Sequence, residues 1–253
     1  MPHNQIPYKN LKTIFLDVGN TLISMDFDWV KEELRGLGVM CEVDDLRRAE
    51  AAARPVVSAA LEKFKSTEDR KTTILYIRSI IRGLNPVSSM TDEEHDEIIG
   101  ALLKVIQGPG QIERLWSWVL PGVIEALEIL KNIGLRLVVV SNSNGTVERI
   151  LTNLKLRHYF DKILDSHLVG FEKPDPRLFY HALEISGSDP ERTIHIGDLY
   201  HVDVIGAWSA GLHAILLDPF DDWGHVNCAR LPDLIHFAKN IDTLRRLKDA
   251  RKF

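Results

Sequence analysis

One stretch near the start of the 253-residue chain, Thr13-Ile14-Phe15-Leu16-Asp17, decides the fold class. Its first four residues are mostly apolar, and a polar, glycine-containing segment follows Asp17 directly. A short apolar run that ends in turn-forming residues is typical of a buried strand in a parallel sheet. We therefore predict a strand over residues 13–16 that delivers Asp17 into a loop at its carboxyl end.

The second half of the chain repeats this pattern between helical segments. Strands are predicted at residues 135–140, 162–166, 193–196 and 213–217, and helices at residues 123–133, 146–156, after Pro176 and at 203–210. Strands that alternate with helices of this length predict a parallel sheet with right-handed crossovers. The predicted fold class is therefore α/β, with a three-layer, Rossmann-like core.

The stretch from Phe27 to about Trp118 shows no comparable strand and carries helical patterns instead. Asp44-Asp45 would cap one helix, and Pro55 would lie in the first turn of the next. Thr91-Asp92-Glu93-Glu94 resembles a capping box, which marks the start of a further helix. We therefore predict an all-helical domain at residues 24–118, inserted into a core formed by residues 1–23 and 119–253.

Composition excludes several classes of protein. Hydrophobic residues make up 45% and charged residues 26% of the chain, which excludes collagen-like and disordered sequences. Binding of a nucleic-acid backbone needs a basic protein surface, and the net charge of −5 argues against one. We therefore expect no nucleic-acid partner. The sequence has two cysteines and no apolar run of membrane-spanning length. These features predict a cytoplasmic protein without a membrane partner, and they leave the oligomeric state open.

Polar side chains follow three of the predicted strands and occupy one loop. The carboxyl ends of parallel strands face one crevice, so residues far apart in sequence can converge there. The residues concerned are Asp17, Ser141, Asn142, Lys173, Asp198 and Asp203. Three carboxylates packed together repel one another unless a cation lies among them, and oxygen ligands favour Mg²⁺. A lysine and a hydroxyl beside them would hold an anion, which predicts phosphoryl transfer to an aspartate.

Four motifs in this order resemble those of the haloacid dehalogenase superfamily. They are Asp17-Val18-Gly19-Asn20-Thr21-Leu22, Val140-Ser141-Asn142, Glu172-Lys173-Pro174-Asp175-Pro176, and Ile196-Gly197-Asp198 with Asp203. The resemblance covers residues 10–25 and 120–220. Residues 24–118 carry none of the motifs and resemble the family only in forming a helical cap between the first two motifs. It implies a Mg²⁺-dependent hydrolase of phosphatase type that acts on a small phosphorylated metabolite.

The resemblance implies that the first motif supplies the nucleophile. Asp17 would attack the phosphorus atom and become an aspartyl-phosphate. Lys173 would neutralise charge between Asp17 and the phosphate, which makes it both catalytic and substrate-binding. The other residues implied in substrate binding are Ser141 and Asn142, with Thr21 holding the shape of the loop.

The resemblance likewise implies a Mg²⁺ site. Its ligands would be the side chains of Asp17 and Asp198 and the backbone carbonyl of Gly19. Asp203 would support the metal directly or by holding another ligand in place. The same pattern argues against dehalogenase activity, because the dehalogenases use no Mg²⁺ and have a serine-type residue at the position of Asp198.

The chain departs from the family pattern at Gly19. The phosphatases of the family have an aspartate there, which protonates the leaving oxygen and later activates water. Glycine transfers no proton, and loss of a positioned acid typically costs about 10² to 10⁴ in rate. A slow phosphatase that prefers good leaving groups, such as acyl or aryl phosphates, would tolerate this loss. Asp26 or Asp28 would be a substitute acid, although helix capping before Trp29 explains both more simply.

Two further functions fit the same motifs. Phosphonatases also lack the second aspartate and form a Schiff base with a cap lysine, for which the helical segment offers Lys31, Lys63, Lys65 and Lys71. Alternatively, the chain is a ligand-binding protein that keeps the pocket and has little turnover.

The sequence also predicts the surroundings of some residues outside these assignments. Arg54, Lys63 and Arg70 of the helical segment would contact an anionic substrate, although most basic residues on such helices face solvent, which is the simpler expectation for all three. His195, in the strand before Asp198, is expected to be buried and hydrogen-bonded.

Overall fold

The computed structural model describes residues 6–64, 66–85 and 90–249 of the chain. The chain divides into two compact units, Met1–Ile23 with Val119–Phe253, and Ser24–Trp118. We call them the α/β unit and the helical unit. The interpretation of the first as a catalytic core and of the second as a cap stays a prediction.

A six-stranded parallel sheet forms the centre of the α/β unit. The strands of the described residues are β1 (Thr13–Leu16), β2 (Ile23–Ser24), β3 (Trp118–Val119), β4 (Arg136–Ser141), β5 (Lys162–Asp165), β6 (Thr193–Gly197), β7 (His213–Leu217) and β8 (Arg230–Leu231). The order in the sheet is β5-β4-β1-β6-β7-β8, and each neighbouring pair is parallel. The predicted parallel α/β sheet is thereby confirmed.

Helices pack against this sheet because alternate residues of each strand face opposite sides. Phe15, Val138 and Val140 share one apolar cluster with Leu178 and Phe179 of a helix that follows β5. The helices that precede and follow the strands make up the outer layers of a Rossmann-like core. The first five helices along the chain belong to the helical unit, so the helices of the α/β unit are numbered from six. They are α6 (Val123–Asn132), α7 (Val147–Asn153), α8 (Ser166–Val169), α9 (Pro176–Ser186), α10 (Gly206–Ser209) and α11 (Leu234–Asp249).

The helical unit has its own apolar core. Its helices are α1 (Phe27–Gly36), α2 (Val43–Phe64), α3 (Arg70–Arg82), α4 (Asp92–Ile106) and α5 (Gln111–Leu115). Leu34, Leu46 and Ile81 are fully buried members of this core. The predicted capping box is confirmed, because the side chains of Thr91 and Glu94 bond each other's backbone N–H. In the described ranges, no helix is both long and apolar enough to cross a membrane.

One helix boundary predicted from the sequence is wrong. Pro55 does not begin a new helix but lies inside the continuous 22-residue helix α2. A proline in a helix interior removes one hydrogen bond and costs about 3 kcal/mol. Packing against α3 offsets this cost, since α2 contacts α3 more extensively than any other element and buries Ala49, Ala53 and Val57. Tertiary packing therefore overrides the local signal of the proline.

Candidate active site

Three neighbouring strands bring the first site residues to one edge of the sheet. β1 pairs in parallel with β4 on one side and with β6 on the other. Their carboxyl ends therefore meet at the same edge, which places Asp17, Ser141 and Asp198 there. The backbone N–H of Asp17 donates to the carbonyl of Ile196 (3.0 Å), so the strand-like pairing extends one residue beyond β1.

Lys173 supplies the positive charge at this edge. Its side chain is 1% exposed, and its Nζ donates to Oδ1 of Asp17 and to Oδ1 of Asp203, both at 2.7 Å. These partners lie 156 and 30 positions away in the sequence. The structure therefore brings the predicted nucleophile, the predicted lysine and one predicted metal-site residue into direct contact.

Four donors hold the carboxylate of Asp203. Its Oδ1 accepts from Lys173 Nζ (2.7 Å) and from Nε2 of His195 (2.8 Å). Its Oδ2 accepts from the backbone N–H groups of Asp198 (3.2 Å) and Leu199 (2.9 Å). A carboxylate has about four lone-pair sites, so protein donors occupy the acceptor capacity of Asp203. The same contacts confirm that His195 is buried and hydrogen-bonded.

Space for Asp203 depends on Gly197. A Cβ atom added at Gly197 would lie 2.2 Å from Cγ of Asp203, closer than any real contact. Asp203 belongs to a π-helical turn, Tyr200–Ile205, which continues into α10. The sequence predicted a helix over residues 203–210, and the structure adds this wider turn at its start. Such turns are rare and frequent at functional sites.

Asp198 completes a group of three buried carboxylates. One oxygen each of Asp17, Asp198 and Asp203 lies within 4.8 Å of the other two. Nδ2 of Asn20 donates to Oδ2 of Asp198 (3.2 Å). Asn20 adopts a left-handed backbone conformation (φ 52°), which asparagine tolerates better than most residues and which tightens the loop after Asp17. The predicted convergence of these three aspartates is present in the structure.

Burial and charge push the pKa values of the two lysine-bound carboxyl groups apart. Burial raises the pKa of Asp17 above its ordinary value, and the charge of Lys173 offsets this only in part. Burial also acts on Asp203, but Lys173 and His195 hold its pKa well below the usual range. Burial tends to lower the pKa of Lys173, and the two carboxylates outweigh it and raise that pKa. Carboxyl groups with divergent pKa values in one site are typical of catalytic centres.

Asn142 orients the loop that carries the lysine. Its Nδ2 donates to the carbonyl of Lys173 (2.8 Å), and its Oδ1 accepts from the N–H of Lys173 (2.7 Å). Ser141, directly before it, is 3% exposed at the end of β4. The side-chain amide of Asn142 is thus engaged by the lysine loop. Phosphate binding by Ser141 and Asn142 stays a prediction.

The family model of haloacid dehalogenase-like hydrolases matches residues 11–211, which is most of the chain. The chain belongs to the haloacid dehalogenase-like hydrolases. The match extends across both units, so the helical unit lies inside the family's span.

Individual relatives of this hydrolase agree with that assignment. The chain is 38% identical over 136 residues to mouse (Mus musculus) haloacid dehalogenase-like hydrolase domain-containing protein 3, covering 51% of the chain and 54% of the relative. The chain thus spans about half the length of this relative and of its cattle and human counterparts. It is 30% identical over 190 residues to phosphoglycolate phosphatase 1 of Pseudomonas aeruginosa, covering 75% of the chain and 66% of the relative.

Solved structures agree on the fold. The HAD-hydrolase YfnB from Bacillus subtilis matches 92% of this chain and 99% of its own, with a TM-score of 0.63 and 19% sequence identity. At that identity the likeness shows the fold alone. It supports the Rossmann-like core with a helical insertion.

The first motif of this hydrolase forms a compact loop around Gly19. Gly19 pairs with Ile23 in an isolated bridge, and the N–H groups of Leu22 and Ile23 donate to the carbonyl of Val18. Thr21 is 1% exposed, and among the described residues its hydroxyl has no hydrogen-bond partner. The loop is held by backbone hydrogen bonds, and the part of Thr21 in shaping it stays a prediction. Metal binding by the carbonyl of Gly19 stays a prediction.

The alternative residues named in the helical unit have ordinary structural roles there. Asp26 is the N-cap of α1 and accepts from the N–H of Trp29 (3.0 Å), and Asp28 is exposed in the first turn. Lys31 pairs with Glu42 at 2.6 Å. Lys63 and Lys71 are exposed, and Lys65 lies outside the described residues.

Sequence reasoning missed two positions that shape the α/β site. Asn20, as described above, bonds Asp198. Asp165, buried at the end of β5, accepts from the N–H groups of Gly145 and Val147 and so holds the loop after Asn142. The position of Asp165 at a strand end is the signal that would have found it, because Asp17 and Asp198 directly follow strands as well.

Proposed function

We propose that this hydrolase is a Mg²⁺-dependent phosphatase that cleaves a small phosphorylated metabolite through an aspartyl-phosphate at Asp17. The observation that carries the proposal is the buried contact between Lys173 Nζ and Oδ1 of Asp17. An anionic nucleophile that meets an anionic phosphate needs such a cation at the point of attack. The relative named phosphoglycolate phosphatase supports the phosphatase assignment.

The charges of the site fit a divalent cation. Three buried carboxylates face one lysine, which leaves an excess of two negative charges among Asp17, Asp198, Asp203 and Lys173. The donor set consists of hard oxygen atoms, which suit Mg²⁺. Asp17 and Asp198 are the proposed ligands, with the carbonyl of Gly19. Because four protein donors already surround Asp203, we propose that it supports the metal by holding Lys173 and the loop of Asp198.

The chain's own residues have defined parts in the proposed reaction. A carboxylate oxygen of Asp17 forms a bond to phosphorus, and the bond from phosphorus to the ester oxygen breaks, with the electron pair leaving on that oxygen. Water then attacks the phosphorus atom, the bond from phosphorus to Asp17 breaks with its electron pair returning to the carboxylate, and phosphate leaves while the proton of the water passes to solvent. Lys173 stays beside Asp17 and offsets the charge of the phosphoryl oxygens. Ser141 and Asn142 would bind those oxygens at the end of β4. Mg²⁺, when bound, supplies charge neutralisation and orients the phosphate.

Gly19 defines which substrates react well. The leaving oxygen needs a proton if it is strongly basic, and Gly19 has no side chain to donate one. Asp26 caps α1 instead, and we do not assign it this step. Acyl and aryl phosphates release weakly basic oxygens, so they lose least from the missing acid. We propose that the activity is graded by the basicity of the leaving group.

The helical unit and the cellular location belong to the same proposal. We propose that residues 24–118 act as a cap that selects the substrate and excludes water during attack. We also propose a cytoplasmic location, which the two free cysteines, Cys41 and Cys228, support.

Turnover of p-nitrophenyl phosphate and acetyl phosphate, with and without Mg²⁺, tests the function. Wild type should hydrolyse both in Mg²⁺, whereas Asp17→Asn should lose at least about 10³ in kcat because the nucleophile is gone. Asp233→Asn, a matched change at a half-exposed carboxylate paired with His236, should act like wild type. Equal activity of Asp17→Asn and wild type would refute the mechanism. Folded wild type without turnover of either compound would refute the phosphatase assignment.

A further inference from the structure

His195 is a buried histidine whose ring contacts Asp203 of the candidate site. It lies in β6 with 0% exposure, on the same side of the strand as Gly197. The edge of the Phe179 ring faces its imidazole at 5.1 Å between ring centres and at 80° between planes. Packing therefore fixes the ring, and its Nε2 lies 2.8 Å from Oδ1 of Asp203.

The bond to Asp203 assigns the proton of the ring. A carboxylate only accepts, so Nε2 is the nitrogen that carries hydrogen. In the part of the chain that the structure describes, Nδ1 of His195 is buried without a hydrogen-bond partner. An apolar side chain, like those of Ile194 and Ile196, would fill the strand without burying an unsatisfied nitrogen. Packing alone therefore does not explain a histidine at this position, and the Nε2–Asp203 bond does.

That bond acts on an atom which Lys173 also uses. Oδ1 of Asp203 accepts from both His195 Nε2 and Lys173 Nζ, and Nζ is equally far, 2.7 Å, from Oδ1 of Asp17. A second donor on Oδ1 of Asp203 weakens the electrostatic attraction between that oxygen and Nζ of Lys173. Without His195, Lys173 would shift toward Asp203 and away from Asp17.

We propose that His195 is a positioning residue that keeps Lys173 shared between Asp203 and Asp17, so that the lysine can meet the phosphoryl group. The proposal rests on the phosphatase function proposed above. His195 itself does not contact the reacting atoms, and it acts through Asp203 and Lys173.

Three variants of the full chain test this role. His195→Leu removes the donor, whereas the amide nitrogen introduced by His195→Gln, Nε2, reaches about as far from the backbone as the imidazole Nε2. His213→Leu is the matched control, because its ring lies in the neighbouring strand β7 and contacts the carbonyl of Glu191. The readouts are binding of inorganic phosphate by calorimetry in Mg²⁺, steady-state kinetics with p-nitrophenyl phosphate, and thermal stability.

His195→Leu should weaken phosphate binding and raise KM by about tenfold, with a smaller fall in kcat, because Lys173 is displaced. His195→Gln should restore both to within about threefold of wild type, and His213→Leu should not change them. The loss of phosphate affinity in His195→Leu should not be accompanied by a proportionate loss of thermal stability. A His195→Leu protein with wild-type binding and kinetics would overturn the proposal. Equal defects in His195→Gln and His195→Leu would do so as well.

Nuclear magnetic resonance of ¹⁵N-labelled histidine separates this inference from the function it rests on. The spectrum should contain a neutral ring with its proton on Nε2, absent from the spectrum of His195→Gln. A proton on Nδ1 would overturn the inference whether or not the protein is a phosphatase. If wild type neither binds phosphate nor turns over p-nitrophenyl phosphate, the proposed function fails, and with it the assigned purpose of the His195 contact.

Discussion

Each unit of the molecule contains a buried ion pair, and the two differ in charge balance. In the helical unit, Arg54 and Glu50 form a bidentate pair (2.8 and 2.6 Å) four residues apart on one helix. Tyr76 donates to the same carboxylate at 2.6 Å. In the α/β unit, Lys173 joins Asp17 and Asp203 from distant parts of the sequence. The first pair balances one charge with one, whereas the second cluster retains negative charge once Asp198 is included.

This difference separates structural charge from functional charge. A balanced, fully bonded pair satisfies itself and needs no ligand. Buried carboxylates in excess over their cations carry a free-energy cost, which a bound cation would relieve. The excess of buried carboxylates in the α/β cluster therefore supports the proposed cation site, whereas the Glu50–Arg54 pair offers no such argument.

Loss of Lys173 should have the largest effect. Lys173→Met leaves Asp17 and Asp203 buried without their cation, which should cost about 3–5 kcal/mol of unfolding free energy. Phosphatase activity should fall below detection, since the phosphate loses its positive partner. Urea unfolding and p-nitrophenyl phosphate turnover measure both effects. A Lys173→Met protein as stable as wild type would contradict the charge argument.

Breaking the pair of the helical unit should lower the unfolding free energy by a similar amount and for the same physical reason. Arg54→Met leaves Glu50 buried without its cation and should lower the unfolding free energy by about 3–5 kcal/mol. The triple variant Glu50→Met, Arg54→Met and Tyr76→Phe removes both charges of the Glu50–Arg54 pair and the hydroxyl that bonds it, so it should be more stable than Arg54→Met. A triple variant less stable than Arg54→Met would show that the pair does more than balance itself.

Addition of Mg²⁺ tests whether the carboxylate cluster of the α/β unit binds a cation. At about 100 times its dissociation constant, a ligand of the folded state adds about 2.7 kcal/mol to stability. We therefore expect the melting temperature of the protein to be lower after chelation and to rise again when Mg²⁺ is restored. Asp198→Asn should abolish the shift, and Asp233→Asn should keep it. The same shift in Asp198→Asn as in wild type would refute the assigned ligand.

A methyl group at Gly197 should have the smallest effect of these changes. Gly197→Ala places Cβ against Asp203, so the carboxylate must move, at a cost of about 1–3 kcal/mol. Activity should fall because Asp203 holds Lys173. The control is Gly224→Ala, where an added Cβ meets nothing within 4 Å. Equal activity in the two variants would contradict the tight fit around Asp203.

The sequence predicted more of the α/β unit than of the helical unit. Short apolar strands and the polar residues at their ends predicted the sheet and the convergence of Asp17, Lys173 and Asp198, because strand ends of a parallel sheet share one edge. In the helical unit the proline signal misplaced a helix boundary, and the expectation that Arg54 faces solvent was wrong, since it is 6% exposed. Both errors concern helix-to-helix packing, which the sequence records weakly.

By itself, the sequence determined the family, the parallel sheet and the identities of the charged residues at its edge. These follow from local patterns, since an apolar run and the residue after it are read directly from the chain. Only the tertiary structure decided that Asp203 is surrounded by four donors, that His195 is one of them, and that Arg54 is buried against Glu50. The bonds of Asp203 with Lys173 and His195 depend on distances between separate elements, and the burial of the Glu50–Arg54 pair depends on packing around its helix, so no local pattern fixes either.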